Sequence, residues 1–409
     1  MHQVAAILVL AGLTTASAFD LSKYTQKPLQ NVQVGVRPYF LVDDMEDGHL
    51  KTKLESCSEG PFKKTDFVFS HRGAPLQFPE HTVQSYKAAI RQGAGVIECD
   101  VTFTKDKQLI CRHSQCDLAM TTNILEKPEL VAKCTKQFTP FNGTNSASAT
   151  CCASDITLAE YKTLCGKMDG FNPSATSAAQ YMKGTPPFRT DLYSTCGTLI
   201  THREYIELVN SYGLKFTPEI KTPTVKMPFE GNFTQEQYAQ KVIDDYKSAS
   251  IDPSRVFFQS KLLDDMLYLI TNEPDFAKQA IYLDEHVFSP AGYANAIASI
   301  PSLAARGIKI MGPPLFALIK LDSSNKTIIP SEYANAVKEA GMSSIPWSID
   351  RSGSLSNGGD FFYLSVNSII KRDGDMYNIL DVLARQVGIK AVFSDWPATV
   401  VYYANCFGL

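Results

Sequence analysis

SHRGAPLQFPEHTVQSYKAAIRQGAGVIECDVTFTKDKQLICRHSQCD, residues 70–117, contains the change of hydrophobic period that decides the fold class. From Pro79 to Gln92 the apolar residues Val83, Tyr86, Ala89 and Ile90 recur at helical spacing, which predicts a helix. From Val96 the period falls to two. Ile97, Cys99, Val101 and Phe103 form an apolar face, and Glu98, Asp100 and Thr102 occupy the other. In an ordinary half-buried strand those carboxylates would face solvent, but here His71 precedes them and His113 follows. The next strand, Leu109 to His113, comes too soon for a crossover helix and should pair antiparallel with the first. Taking Asp106-Lys107 as a two-residue turn puts Asp100 across from His113 on one face. His71 ends an earlier apolar run, Phe67 to Ser70, read as a buried strand. The expectation is one pocket with an imidazole on each side of two carboxylates.

Further along, short strand-like runs alternate with helical ones. The strand candidates after the hairpin are Lys215 to Lys221, Arg255 to Ser260, Gln279 to Leu283, Lys309 to Gly312, Ser344 to Ile349 and Ala391 to Ser394. Phe233 to Ser248, Leu262 to Thr271, Pro330 to Ala340 and Met376 to Gly388 read as helices between them. This is the βαβα order of an α/β barrel. Counting Phe67 to His71, Gly95 to Thr104 and Leu109 to His113, the candidates exceed eight by one, so either one is wrong or the hairpin adds a strand. The segment from Leu118 to about Leu199 breaks the order, being rich in Ser, Thr, Ala, Asn and Cys. It reads as a disulfide-stapled insertion that either shapes the pocket or is a plain surface excursion.

Of 409 residues, 44% are hydrophobic and 20% charged, which sets a globular class with a large core. A net charge of −3, spread through the chain, offers no footprint for nucleic acid. The apolar run Val4 to Leu10 followed by Ala16-Ser17-Ala18 reads as a signal peptide over residues 1–18. Ten cysteines, seven of them between Cys111 and Cys196, agree with export and with disulfides rather than a zinc knuckle, because no C-x-x-C pair occurs. Asn142, Asn232 and Asn325 are candidate glycosylation sites. No later run has the length of a membrane span and the C-terminus lacks a lipid-anchor tail, so a secreted, extracellular protein without a stable membrane anchor is expected. Nothing in the sequence fixes an oligomeric state. Residues 19–61 read as polar and irregular, their acidic run Asp43 to Asp47 as a solvated loop.

HRG at His71 to Gly73, PEHT at Pro79 to Thr82, IECDV at Ile97 to Val101, Lys105-Asp106 and the following His113 resemble the signature of the glycerophosphodiester phosphodiesterase family. PEIK at Pro218 to Lys221, FFQS at Phe257 to Ser260, PWSID at Pro346 to Asp350 and FSDWP at Phe393 to Pro397 keep the same order, so the resemblance spans roughly residues 67–400. It implies a TIM (β/α)8-type barrel, here with an irregular β-hairpin after the second strand and a disulfide-rich insertion, and with active residues at the carboxyl ends of strands. The expected organisation is a signal peptide at 1–18, an N-terminal extension packed on the barrel at 19–66, and the barrel at 67–409 with its insertion at about 118–199. The resemblance further implies Glu98, Asp100 and Glu219 as metal ligands and His71 and His113 as the acid/base pair.

The residue chemistry agrees with these assignments. Glu98 and Asp100, two apart on one strand face, can reach one ion, and three carboxylates suit Mg²⁺ or Ca²⁺. Arg72 can bind phosphate with its planar fork and Lys221 as a point charge. The expected reaction is metal-dependent hydrolysis of a small glycerophosphodiester to an alcohol and glycerol 3-phosphate. The alternatives are a sphingomyelinase D-like phospholipid phosphodiesterase and a non-catalytic secreted barrel acting as a binding module. The chain departs from the family at His81, where asparagine is usual, and at Ser114, where aspartate is common. His81 is expected to hydrogen-bond at the site as an amide would, and Glu80 to order its loop. His202 and His286 are read as structural, Arg112 as a salt-bridge partner, Asp264-Asp265 as solvated, and Trp347 and Trp396 as core aromatics near strand ends.

Overall fold

In the computed structural model, which describes Leu29 and residues 31–409 except Ser194 and Gly358, nine strands form one sheet. We number them β1 (Thr65–Ser70), β2 (Ala94–Phe103), β3 (Leu109–Cys111), β4 (Lys215–Ile220), β5 (Gln259–Ser260), β6 (Ile281–Leu283), β7 (Ile310–Gly312), β8 (Ser343–Ser344) and β9 (Val392–Ser394). Eight run parallel in the order β8-β7-β6-β5-β4-β2-β1-β9, and β3 pairs antiparallel with β2 outside that path. All nine expected strands are therefore present, and the supernumerary one is the hairpin. Hydrogen bonds between the segments around β8 and β9, such as Lys390 N to Ser344 O at 2.9 Å and Ile349 N to Phe393 O at 2.8 Å, bring the last strands together. The expected signal peptide lies outside the described residues.

β2 is buried along its whole length, so neither of its faces meets solvent. Its apolar face, Ile97, Cys99, Val101 and Phe103, packs in the main core with the surrounding helices. Its other face points inward, where Phe69, Val96, Phe257, Ile281, Ile310 and Phe393 fill the barrel interior. Helices begin where the sequence supplies caps: Thr82 caps Val83–Arg91, Thr201 caps His202–Ser211 and Thr234 caps Gln235–Ser248. The run predicted as one helix to Gly388 is helical only from Asp375 to Asp381 and then passes through a π turn, ending at Gly388 with φ 79°.

The hairpin register differs from the expected one. Val101 pairs with Cys111 and Phe103 with Leu109, and Arg112 N donates to Asp100 O at 2.8 Å, so Asp100 lies opposite Arg112 rather than His113. The turn holds three residues, Lys105 to Lys107, closed by Lys107 N to Thr104 O at 2.8 Å and Thr104 N to Gln108 O at 3.0 Å. Lys107 takes φ 59°, the left-handed residue that such a loop requires. Arg112 is fully buried and makes no ion pair among the described residues. Its guanidinium donates instead to the carbonyls of Cys111, Thr121 and Glu80. Asp265 is likewise buried rather than solvated, accepting from Ser260 Oγ at 2.7 Å, because the helix Leu263–Asn272 starts with that side chain turned onto the end of β5.

The N-terminal segment is more ordered than its composition suggested. Arg37–Asp43 and His49–Glu55 are helices, with Leu41 and Leu54 fully buried in the main core. Arg37 reaches the buried Asp350, and Cys57 is bonded to Cys406 of the C-terminal helix Pro397–Phe407. Part of the acidic run is tied down as well, since Lys51 Nζ donates to the carbonyls of Asp43 and Met45.

All ten cysteines are paired: Cys57–Cys406, Cys99–Cys111, Cys116–Cys152, Cys134–Cys151 and Cys165–Cys196. Three of these staple the segment from 118 to 199 and its approach. That segment builds a small core of its own around Leu118, Ile124, Leu130, Ile156, Tyr161 and Tyr181. Among the described residues no helix is long and apolar enough to cross a membrane.

Candidate active site

Strand register assembles the site. Asp100 on β2 pairs directly with Glu219 on β4, and Glu98 stands two residues back on the same face of β2. Carboxylate oxygens of the three lie within 4.8 Å of one another, and all three side chains are buried. On the other side of β2, Ser70 of β1 pairs with Ser394 of β9. One step further brings His71 beside Asp395, with Nδ1 and Oδ1 2.5 Å apart. Ser348 Oγ stands 3.2 Å from each of them. With Nδ1 so engaged, Nε2 is the imidazole nitrogen left for chemistry.

The HRG turn serves the carboxylates directly. Arg72 takes φ 58° and its backbone N donates to Glu98 Oε2 at 2.7 Å, while Gln259 Nε2 donates to Glu98 Oε1 at 2.9 Å. Gly73 follows with φ 99°, and a Cβ there would lie 2.2 Å from Ser85 Oγ, so only glycine fits the turn. The Arg72 guanidinium donates to Glu80 Oε2 at 3.0 Å. His81 is wholly buried between Tyr86 OH and Asp100 Oδ2, 2.9 Å from each, and so holds the carboxylate from beneath without lining the cavity. Lys221 Nζ lies 2.8 Å from Glu219 Oε1.

The electrostatics of the cluster would suit a cation. Burial, with Asp100 and Glu219 close by, pushes the Glu98 carboxyl well above its usual range. Burial raises Glu219 to about 7 against the pull of Lys221. Burial opposes ionisation of Asp100 too, yet Lys221 and His81 hold it well below the usual carboxylate range. Carboxylates this close cannot all be ionised on their own, and a divalent charge among them removes the conflict. Asp100 Oδ1 is buried without a hydrogen-bond partner, which leaves an oxygen free for such an ion. The donor set, three hard oxygens, fits Mg²⁺ or Ca²⁺.

A cleft of about 270 Å³ opens over this cluster. One end is lined by His71, Arg72, Glu98, His113, Glu219 and Lys221, so both histidines meet the same cavity. The other end is apolar, with Phe288, Trp347, Phe361 and Phe362 packed ring against ring. Burial lowers His71 to about 4 in spite of Asp395, with Arg72 adding to the effect. His113 is held well below the usual imidazole range by burial, Arg72 and Lys221. Both rings are therefore neutral in the free protein at neutral pH. Of the two tryptophans, Trp347 faces the cleft whereas Trp396 packs on the main core. His202 is bonded to Asp245 in the core, and His286, bonded to Asp284, lines an outer groove shared with His113 and Lys221.

Asp395, Ser348, Gln259 and Arg351 join the site beyond the residues that the sequence predicts. All four stand in or next to the blocks FSDWP, PWSID and FFQS, and each is a polar residue closing an apolar strand run, which was the available signal. Arg351 donates to Asp395 Oδ2 at 2.8 Å and to Glu80 Oε1 at 3.1 Å.

Residues 71–399 match the family model described as the glycerophosphoryl diester phosphodiesterase family. The chain is 26% identical over 374 residues, 87% of its own length and 90% of the other's, to the glycerophosphodiester phosphodiesterase GDPD6 of Arabidopsis thaliana. It is 52% identical over 246 residues to a protein of Arthroderma benhamiae named only as an extracellular protein, across 59% of this chain and the whole of that one. A solved structure from Silicibacter pomeroyi superposes with a TM-score of 0.53 at 14% identity, covering 87% of this chain and 97% of that one, a likeness of fold.

Proposed function

The chain belongs to the glycerophosphoryl diester phosphodiesterase family, and from that membership we propose that it hydrolyses glycerophosphodiesters to an alcohol and glycerol 3-phosphate, with His71 and His113 moving the protons. Glu98, Asp100 and Glu219 would hold one divalent cation, whose charge when bound offsets the negative charge developing on the phosphoryl oxygens. The single observation that carries this reading is the convergence of the three buried carboxylates under a cleft lined by both imidazoles.

Each residue has a task that follows from its surroundings. Arg72 and Lys221 border the cleft as cations and receive the phosphate, the first through a planar fork, the second as a point charge. His71, neutral and backed by Asp395 at Nδ1, is the proton acceptor, because the carboxylate stabilises the imidazolium that forms. His113 serves the complementary transfer to the leaving alkoxide. It lies beside Arg72 and Lys221, and the negative charge of an arriving diester raises its affinity for a proton.

A pH profile tests the His71 assignment. A base whose neutral form persists to about pH 4 gives an acid limb in kcat/KM near pH 4 instead of near 6.5. The same depression has a stability counterpart. Between about pH 6.5 and 4 the unfolded chain takes up a proton at His71 that the folded chain refuses, so stability present above pH 6.5 declines as pH falls through that window. At saturating cation, which would keep Glu219 ionised, an acid limb at 6.5 would remove His71 from this role.

We place the protein outside the cell, in support of which stand five disulfides and the resemblance to a relative named as extracellular. The deciding experiment incubates the purified protein with glycerophosphocholine and Mg²⁺ or Ca²⁺. Choline and glycerol 3-phosphate are the expected products, lost with a chelator and restored by excess cation. Turnover of sphingomyelin instead would favour the sphingomyelinase D-like alternative, and no turnover with either cation would leave only a binding module.

A further inference from the structure

Glu80, Asp395, Arg189 and Arg351 form a closed ring of charges beside His71. Arg351 bridges Asp395 Oδ2 and Glu80 Oε1 from one side. Arg189 bridges the same two oxygens from the other, with Nη2 3.2 Å from Asp395 Oδ2 and Nη1 3.2 Å from Glu80 Oε1. The members come from four separate stretches of chain. Glu80 lies in the loop before the helix Val83–Arg91, Arg351 follows β8 and Asp395 follows β9. Arg189 alone comes from the insertion, between the two cysteines of the Cys165–Cys196 staple. Its side chain is 3% exposed, and the adjoining Thr190 N donates to Leu76 O at 3.0 Å, which pins that part of the insertion to the HRG loop.

We propose that Arg189 is a positioning residue for proton transfer, through which the insertion fixes Asp395 and hence the ring orientation and tautomer of His71. Arg72 also donates to Glu80, at Oε2, and Asp169 Oδ2 stands 3.8 Å from Arg189 Nη1, so three guanidinium groups balance three carboxylates here, and Asp395 has no exposed surface. Removing Arg189 leaves a net negative charge in a buried place. The charge must then be met by drawing a proton onto His71 or by turning Asp395 away from it, and either change takes the base out of its working state. Arg351 cannot compensate, because its single positive charge already serves these same two carboxylates and no second cation replaces the one removed.

The inference rests on the proton-transfer reading of His71, and the test therefore includes a readout that needs no turnover. Arg189→Met should lower kcat on the order of 10- to 100-fold, as losing the outer partner of an orienting group typically does, with KM for glycerophosphocholine within about twofold of the wild type. In proton NMR the downfield Nδ1–H signal of His71, assigned by its absence in His71→Ala, should be present in the wild type and broadened or lost in Arg189→Met. Arg189→Lys, which keeps the charge but not the two-pronged bridge, should fold if Arg189→Met does not, and should restore part of both kcat and the signal. A folded Arg189 variant with wild-type kcat and an unchanged His71 signal overturns the proposal. A changed signal in a protein that turns over no glycerophosphodiester would uphold the positioning and reject the reaction.

Discussion

His71→Ala and His113→Ala should each lower kcat/KM for glycerophosphocholine by about 10²- to 10⁴-fold while leaving the protein folded and able to bind a divalent cation. The separation of effects follows from position. Both rings line the cleft, but neither belongs to the carboxylate cluster, so truncating one removes a proton carrier and leaves the cation ligands in place. The two variants should differ in stability. His71 is hydrogen-bonded to Asp395, so its loss leaves a buried carboxylate short of a partner, whereas His113 has no hydrogen bond or ion pair of that kind among the described residues. Steady-state kinetics with both variants, alongside thermal unfolding, would check this. Wild-type kcat/KM in either variant would remove that histidine from the mechanism.

Asp100→Asn should be at least as damaging, with a loss of about 10³-fold or more in kcat/KM at a fixed cation concentration, since several kcal/mol of charge stabilisation are at stake and each decade corresponds to about 1.4 kcal/mol. The variant also changes the metal-free protein. It relieves the crowding that pushes Glu98 up, but it gives up the carboxylate that Lys221 and His81 stabilise, so without cation it should unfold no later than wild type. What it should lose is the rise in unfolding temperature that saturating Mg²⁺ or Ca²⁺ gives the wild-type protein. Thermal scans with and without cation, compared with calorimetric titration, separate the two effects. An undiminished cation-dependent shift in Asp100→Asn would show that the ion binds elsewhere.

The fold was legible where burial is two-sided. Strands such as Phe67 to Ser70 and Val96 to Phe103 carry apolar residues dense enough to stand out, and all nine expected strands are found. The hairpin register was not legible, because it depends on Lys107 adopting a left-handed conformation that a lysine does not advertise as glycine or asparagine would. The two N-terminal helices were hidden by their shortness and by the acidic residues between them. At the site, Glu98, Asp100, Glu219, His71 and His113 could be named from quoted blocks, and register explains why they converge. Arg189 could not be named. It stands in an irregular, serine-rich segment with no periodicity, and its partners Glu80 and Asp395 are more than a hundred positions away in either direction. A charge ring closed by tertiary contact leaves no local trace in sequence.

The bond between Cys99 and Cys111 has a practical corollary. Cys99 sits between Glu98 and Asp100, and Cys111 sits two positions before His113, so one covalent clasp joins the backbone bearing two acids to the backbone bearing an imidazole. Protein produced in a reducing cytoplasm would lack that clasp. Such material, lacking the other four disulfides too, should have poor specific activity, and recovery of function on oxidative refolding would require closure of this link among them.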